Sequence, residues 1–284
     1  MSAAPTASER GLLRPSRAGE RYELRRYPPA PDLADLIERH WVSAWDLRGR
    51  PPYEVELLPH PAVNLIFGAG PASFAGPGTS IFRFPLRDRG SIFGVKLRPG
   101  TGEPYVRAPM VTLVDRSIAL EQVLGGDVAR LDRAVCATEN DEARVALVEA
   151  HLRAHRPDVD AAVADQIRLV GDIVRALLTG DRTARVESVA AEFGLTARTL
   201  QRLFRRYVGV APKQVLLRYR LHEAADRIST GDVTDWAGFA ADMGYADQSH
   251  FVRDFTATVE RTPTEYARQC AADRLASLDP ALAG

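Results

Sequence analysis

Between residues 160 and 178 apolar side chains recur at Val163, Ile167, Val170, Val174 and Leu178, intervals of three or four that place them on one stripe of a helix. Gly180 follows as a stop signal. The same period returns at Val186, Val189, Ala190 and Phe193, breaks at Gly194-Leu195-Thr196, and resumes at Leu200, Leu203, Phe204 and Tyr207. This predicts two helices joined by a glycine turn, with the Thr196 hydroxyl capping the second. Fifty residues later Trp236, Phe239, Ala240 and Met243 repeat the first stripe, Gly244-Tyr245 the turn, and Asp247 the cap. At an offset of 51, Phe251, Phe255, Arg253 and Pro263 then match Leu200, Phe204, Arg202 and Pro212. Two helix-turn-helix units in tandem are expected.

Upstream the pattern differs. A short helix is expected from Asp32, with Leu33, Leu36 and Ile37 on one face. Strand-like runs follow at 40–47, 53–58, 63–67 and 91–97, separated by Gly and Pro at 68–78 and 99–102, so that 40–107 reads as a small β-rich unit. From Leu113 to Leu124, and from Leu131 to Val135, the spacing becomes helical, and a helix over 141–155 ends at Arg156-Pro157. The fold class is α+β: an N-terminal β-rich mixed domain, then an all-α domain with two helix-turn-helix units. Residues 1–31, with five prolines, read as a flexible arm, 32–157 as a sensory or assembly domain, and 158–284 as a second domain.

At 284 residues the chain is long enough for two domains that each bury a core. Cys136 and Cys270 are far apart, which provides neither a disulfide framework nor a cysteine zinc site. With no membrane span and no secretory signal expected, a cytoplasmic protein is anticipated. The 37 basic and 37 acidic residues cancel. Their distribution does not: Thr196 to Arg220 holds Arg198, Arg202, Arg205, Arg206, Lys213, Arg218 and Arg220 and no acid.

Once the core positions of 197–207 are assigned, Ala197, Arg198, Gln201, Arg202 and Arg205 remain on one stripe, where a helix in a major groove meets base edges. Arginine matches the two acceptors of guanine, and glutamine the donor and acceptor of adenine. Arg198, Gln201 and Arg202, with Gln248, Ser249 and Arg253 of the second unit, are therefore candidates for base readout. Thr196, Arg205, Arg206, Lys213 and Arg218 are candidates for phosphate contacts. The bland alternative is a solvated Arg/Gln face on a helical bundle, and for Arg206, Lys213 and Arg218 a structural ion pair. The second stripe, flanked by Asp247, Asp254, Glu260 and Glu265, carries less positive charge.

The run Gly244-Tyr245-Ala246-Asp247-Gln248-Ser249-His250-Phe251-Val252-Arg253-Asp254-Phe255 with Pro263 and Tyr266, and Leu200-Gln201-Arg202-Leu203-Phe204 with Gly209 and Pro212, resembles the DNA-binding domain of AraC/XylS-family transcriptional regulators over roughly 160–269. The resemblance implies two recognition helices in successive major-groove segments, joined by a linking helix over 212–229. Two positions depart from it: Glu260 stands where the family usually has glycine, and Ala267 where a basic residue commonly follows the tyrosine. The segments 58–67 and 93–100 resemble an uncharacterised N-terminal domain of some AraC-like regulators. The partners implied are double-stranded promoter or operator DNA, RNA polymerase, a small-molecule effector and a second copy of the chain, with no membrane.

His151 and His155 stand four apart on a helix without an evident third ligand, so no metal is expected, and no cofactor either. No catalytic grouping can be assigned, and the expectation is a non-enzyme; the rival reading is an N-terminal enzymatic domain fused to a DNA-binding module. Trp41, Trp45, Tyr53, His60, Asn64 and Phe67 mix apolar and polar groups as a ligand pocket would, or they belong to an ordinary core.

Overall fold

The computed structural model describes residues 11–15, 21–179, 185–231 and 233–278 and shows the expected α+β architecture. Eight strands come first: β1 (Glu23–Tyr27), β2 (Ile37–Asp46), β3 (Tyr53–Leu57), β4 (Asn64–Phe67), β5 (Ser73–Ala75), β6 (Phe82–Leu86), β7 (Arg89–Leu97) and β8 (Ser117–Ala119). Six form an antiparallel sheet in the order β1-β2-β7-β4-β5-β8, and β3 pairs with β6 in a separate two-stranded sheet. Alternation along β2 and β7 turns His40, Val42, Phe93, Val95 and Leu97 inward, onto one core with Leu65, Phe67 and Phe74. Two short helices, α1 (Glu103–Val106) and α2 (Glu121–Leu124), precede α3 (Val128–Ala137) and α4 (Asp141–Ala154), whose Leu131, Val135, Val148 and Leu152 close that core. Inside it, His40 Nε2 lies 3.0 Å from Glu149 Oε1. Burial holds the imidazole below its usual pKa, against the pull of that carboxylate.

Three expectations about this half are corrected. The helix foreseen from Asp32 is one 3-10 turn, Pro31–Leu33; Ile37 already pairs with Leu97 in β2, and Leu33, Leu36 and Ile37 reach the core without a continuous helix. Helical spacing at 113–124 resolves into a 3-10 turn (Met110–Leu113), β8 and the four residues of α2. The described parts of the supposed arm are integrated: β1 pairs with β2 from Glu23↔Ala44 to Tyr27↔His40, and Arg25 and Tyr27 both bind Asp141 at 2.7 Å. Leu13 is fully buried, and its amide donates to the Glu56 carbonyl at 3.0 Å. The prolines at 28, 29 and 31 end β1 rather than prevent order. The rest of that arm, 1–10 and 16–20, lies outside the described residues, as does Gly180.

The second half is helical: α5 (Ala161–Thr179), α6 (Val186–Glu192), α7 (Ala197–Tyr207), α8 (Pro212–Thr230), α9 (Trp236–Asp242), α10 (Gln248–Val259) and α11 (Pro263–Leu278). Among the described residues no helix is long and apolar enough to cross a membrane. One core joins Val170, Ile173 and Val174 of α5 to Val189, Leu200, Phe204 and Val215. Another gathers Leu221, Ile228, Phe239, Phe251, Phe255 and Tyr266, together with Leu13, Leu58 and Ile81 from the N-terminal half. The two halves are thus sewn together by shared apolar burial.

Candidate nucleic-acid interface

Each unit is built by the same devices. In the first, the chain turns between α6 and α7 at Gly194 (φ +66°), and Thr196 Oγ1 accepts from the Thr199 amide at 3.2 Å; in the second it turns at Gly244 (φ +77°), and Asp247 Oδ1 accepts from the His250 amide at 2.7 Å. A turn that requires positive φ followed by a side-chain cap fixes where the second helix of each pair starts. Leu200, Leu203, Phe204 and Tyr207 are buried on α7, and Tyr207 donates its hydroxyl to Gln166 Oε1 at 2.8 Å, which ties α7 to α5. That leaves Arg198, Gln201, Arg202 and Arg205 exposed along the opposite face.

On α10, Phe251, Phe255 and Val259 face inward, and Gln248, Ser249 and Arg253 are exposed. The six base-readout candidates therefore lie on the solvent sides of the two recognition helices. Val252 and Thr256, beside them on the sequence stripe, are half-buried, and Val252 packs on the core, so the second surface is narrower than the first. His250 Nε2 approaches Asp254 at 3.5 Å, keeping an acid close to Arg253.

The phosphate candidates divide. Arg205 and Lys213 are exposed, and Thr196 is exposed and also caps α7. Arg206 is half-exposed, but its Nε lies 2.8 Å from Glu103 Oε1 of α1, and its guanidinium rests 5.0 Å from the Tyr207 ring. Arg218 departs from expectation: it is buried at 9% exposure, and donates to the Thr79 carbonyl of the N-terminal half. Its position on the inner side of α8, next to Val215 and Leu221, turns it away from any DNA while the halves are docked.

The pocket expected from Trp41, Trp45, Tyr53, His60, Asn64 and Phe67 does not form, because these residues scatter. Trp41 Nε1 donates to Asn64 Oδ1 at 3.1 Å on the sheet face away from the core. Trp45 Nε1 donates to the Arg87 carbonyl at 2.9 Å, Phe67 is inside the core, and His60 sits at the domain junction with its ring 4.2 Å from that of His222. Tyr53 alone of the six lines a cavity of about 530 Å³ between β3 and the start of α11. Its walls are mostly charged: Arg14, Glu54, Glu56, Glu260, Arg261 and Glu265. His151 and His155 stack at 4.2 Å, and among the described residues no third ligand completes a metal site.

The junction that holds Arg206 and Arg218 extends across both units. Arg261 grips Glu56 with two bonds of 2.9 and 2.6 Å, Arg83 reaches Glu260 at 2.6 Å, and Arg14 forms a two-pronged pair with Asp273 at 2.6 Å. Nothing in the linear pattern signals these partners. Glu56, Glu103 and Asp273 are isolated acids whose roles depend on how the domains meet.

Residues 189–269 match a family described as a helix-turn-helix domain, and residues 25–119 match a domain of unknown function. No curated protein matches the chain. Among solved structures, a transcriptional regulator with an AraC-type DNA-binding domain from Chromobacterium violaceum is 21% identical, covering 39% of this chain and 97% of its own, with a TM-score of 0.33. The C-terminal domain of the response regulator AraT from Geobacillus stearothermophilus is 20% identical over 34% of this chain and 82% of its own, also at 0.33. ToxT from Vibrio cholerae is 13% identical over 87% of this chain and 94% of its own, at 0.36. The matched helix-turn-helix domain and the paired units built alike agree: the chain carries a C-terminal helix-turn-helix domain of the DNA-binding kind, similar to those of AraC-type regulators, joined on its N-terminal side to a domain of unknown function.

Proposed function

We propose that the protein reads a specific promoter or operator sequence with two recognition helices, α7 and α10, in successive major-groove segments, and that its N-terminal domain tunes occupancy through the junction. The observation that carries this reading is the repeat itself. Two separately capped helices each leave an arginine exposed at the matching position, Arg202 on one and Arg253 on the other, and each also exposes a glutamine, Gln201 and Gln248, at a different point of its helix. A merely solubilising face has no need to recur in register. Arg198, Gln201 and Arg202 would read one segment, and Gln248, Ser249 and Arg253 a second about 10 base pairs away. Arg205, Lys213 and the region of Thr196 would face phosphates. Arg206 would join them when it leaves Glu103.

Selection on randomised duplexes tests the reading. With Arg202→Ala the preferred base at one position should relax at a cost of roughly 1–3 kcal/mol, with non-specific binding nearly intact; Arg253→Ala should do the same one helical turn away. Equal loss on every sequence would make both arginines phosphate contacts instead. Control by a small-molecule effector, contact with RNA polymerase and pairing with a second copy belong to the same proposal at the level of the whole regulator. Footprinting with and without metabolites tests the first of these.

A further inference from the structure

We propose that the cavity beside Arg218 is a binding site for a small oxyanion, a carboxylate or a phosphate group, held between the two domains. Arg218 is a buried cation whose Nη1 meets no hydrogen-bond acceptor, and whose Nη2 donates to one neutral carbonyl, that of Thr79. Among the described residues no carboxylate forms an ion pair with it. Asp115 acts on it through space without a hydrogen bond, its oxygens accepting instead from the Thr79 amide at 2.6 Å and from the Thr79 hydroxyl. A lone buried charge is expensive, and proteins retain one chiefly where something else supplies the counter-charge. Burial pulls this guanidinium down to about 10, a side chain ordinarily far above that.

The space for a counter-charge is present. Arg218 lines a cavity of about 150 Å³ with Gly78, Thr79, Gln214, Leu217 and Thr258. Sites for drug-sized ligands run to roughly 300–1,000 Å³, so only a small group fits here. The planar fork of arginine matches the paired oxygens of a carboxylate or phosphate, and the Thr258 side chain adds a hydroxyl to the lining. Pro61, Gly78 and Thr79 come from the N-terminal domain, and Val210 to Leu221 from the DNA-binding domain, so an anion bound there would favour the docked arrangement over the separated one. Its regulatory meaning rests on the DNA-binding reading; binding of the anion itself does not.

The test is thermal melting of the full chain without DNA, in chloride buffer and in buffers of matched ionic strength containing acetate, malonate or inorganic phosphate. The expected result is a saturable rise of about 2–4 °C with the carboxylates or with phosphate, which also says which class the site takes. Arg218→Met should melt at or above the wild-type temperature in chloride and gain nothing from the anion. Thr258→Leu fills the cavity without touching the guanidinium, and should abolish the rise even if the methionine variant fails to fold. No rise in wild type up to about 50 mM anion, or an equal rise in both variants, overturns the site and leaves the DNA-binding reading standing.

Discussion

Gly209 and Glu260 occupy the same place in the two units, 51 residues apart, and both adopt left-handed backbone, at φ +90° and +60°. The first position admits no side chain: a Cβ on Gly209 would fall 2.8 Å from Pro77 Cγ and 2.9 Å from the Met110 carbonyl oxygen. The second bears a glutamate, which accepts the conformational cost and reaches Arg83. That cost is about 1 kcal/mol, against about 0–1 kcal/mol for an exposed ion pair. Glu260→Gly should therefore leave stability unchanged or raise it by up to about 1 kcal/mol, as read by urea unfolding, whereas Gly209→Ala should lower it. In the sequence Gly209 stood out only within the family resemblance, and Glu260 only as a departure from the glycine the family usually has there. That Gly209 is walled in by the neighbouring domain was not legible, since a glycine records no contact partner in sequence.

His40 supplies the titration to measure. Its folded pKa is depressed by burial below its unfolded value, so between the two the unfolded chain binds the extra proton. Stability contributed by the neutral imidazole is present above about pH 6.5 and is lost as pH falls through the folded value. Melting temperatures at pH 7.5 and pH 5 should fall more for wild type than for His40→Gln; parallel falls would assign the acid sensitivity to other groups.

At the scale of elements, the two recognition helices were readable because each announces itself by period, cap and preceding glycine turn. Thr196 and Asp247 set the starts of α7 and α10, and the chain obeys both. Removing a cap costs about 0.5–2 kcal/mol. Thr196→Ala should lower the melting temperature and weaken binding to all DNA sequences without altering which bases are preferred; an altered preference in a binding selection would show that Thr196 does more than anchor its helix. Strands fared less well. β5 and β8 have three residues each, too few to show alternation, and β6 carries Pro85, which cannot donate to a ladder. β1 was hidden by its proline-rich surroundings, since composition reports a tendency and pairing with β2 overrides it.

At the scale of the molecule, the N-terminal domain touches the first unit through Glu103 and Arg206, the linking helix through Thr79 and Arg218, and the second unit through Glu56 and Arg261. None of this was legible, because a boundary near 160 is visible in one sequence and the contacts across it are not. Glu103→Gln should free Arg206 and raise affinity for all duplexes, with a steeper salt dependence by about one unit of log–log slope for one added phosphate contact. Titrations at several salt concentrations check this, and an unchanged slope would leave the Arg206 pair purely structural. The fragment 158–284 should fold and bind DNA, yet melt below the full chain, since Leu13, Leu58 and Ile81 no longer cover the core of the second unit.

A single body that grips both units also has a genetic consequence. If α7 and α10 read bases as proposed, the ion pairs that hold the second unit to the N-terminal domain bear on the distance between the two surfaces, so a screen for mutants tolerating an operator with one base pair inserted between its half-sites should return changes at Glu56, Arg83 and Arg261. In such a regulator, spacing and sequence preference can evolve apart, one in the junction and the other on the recognition helices.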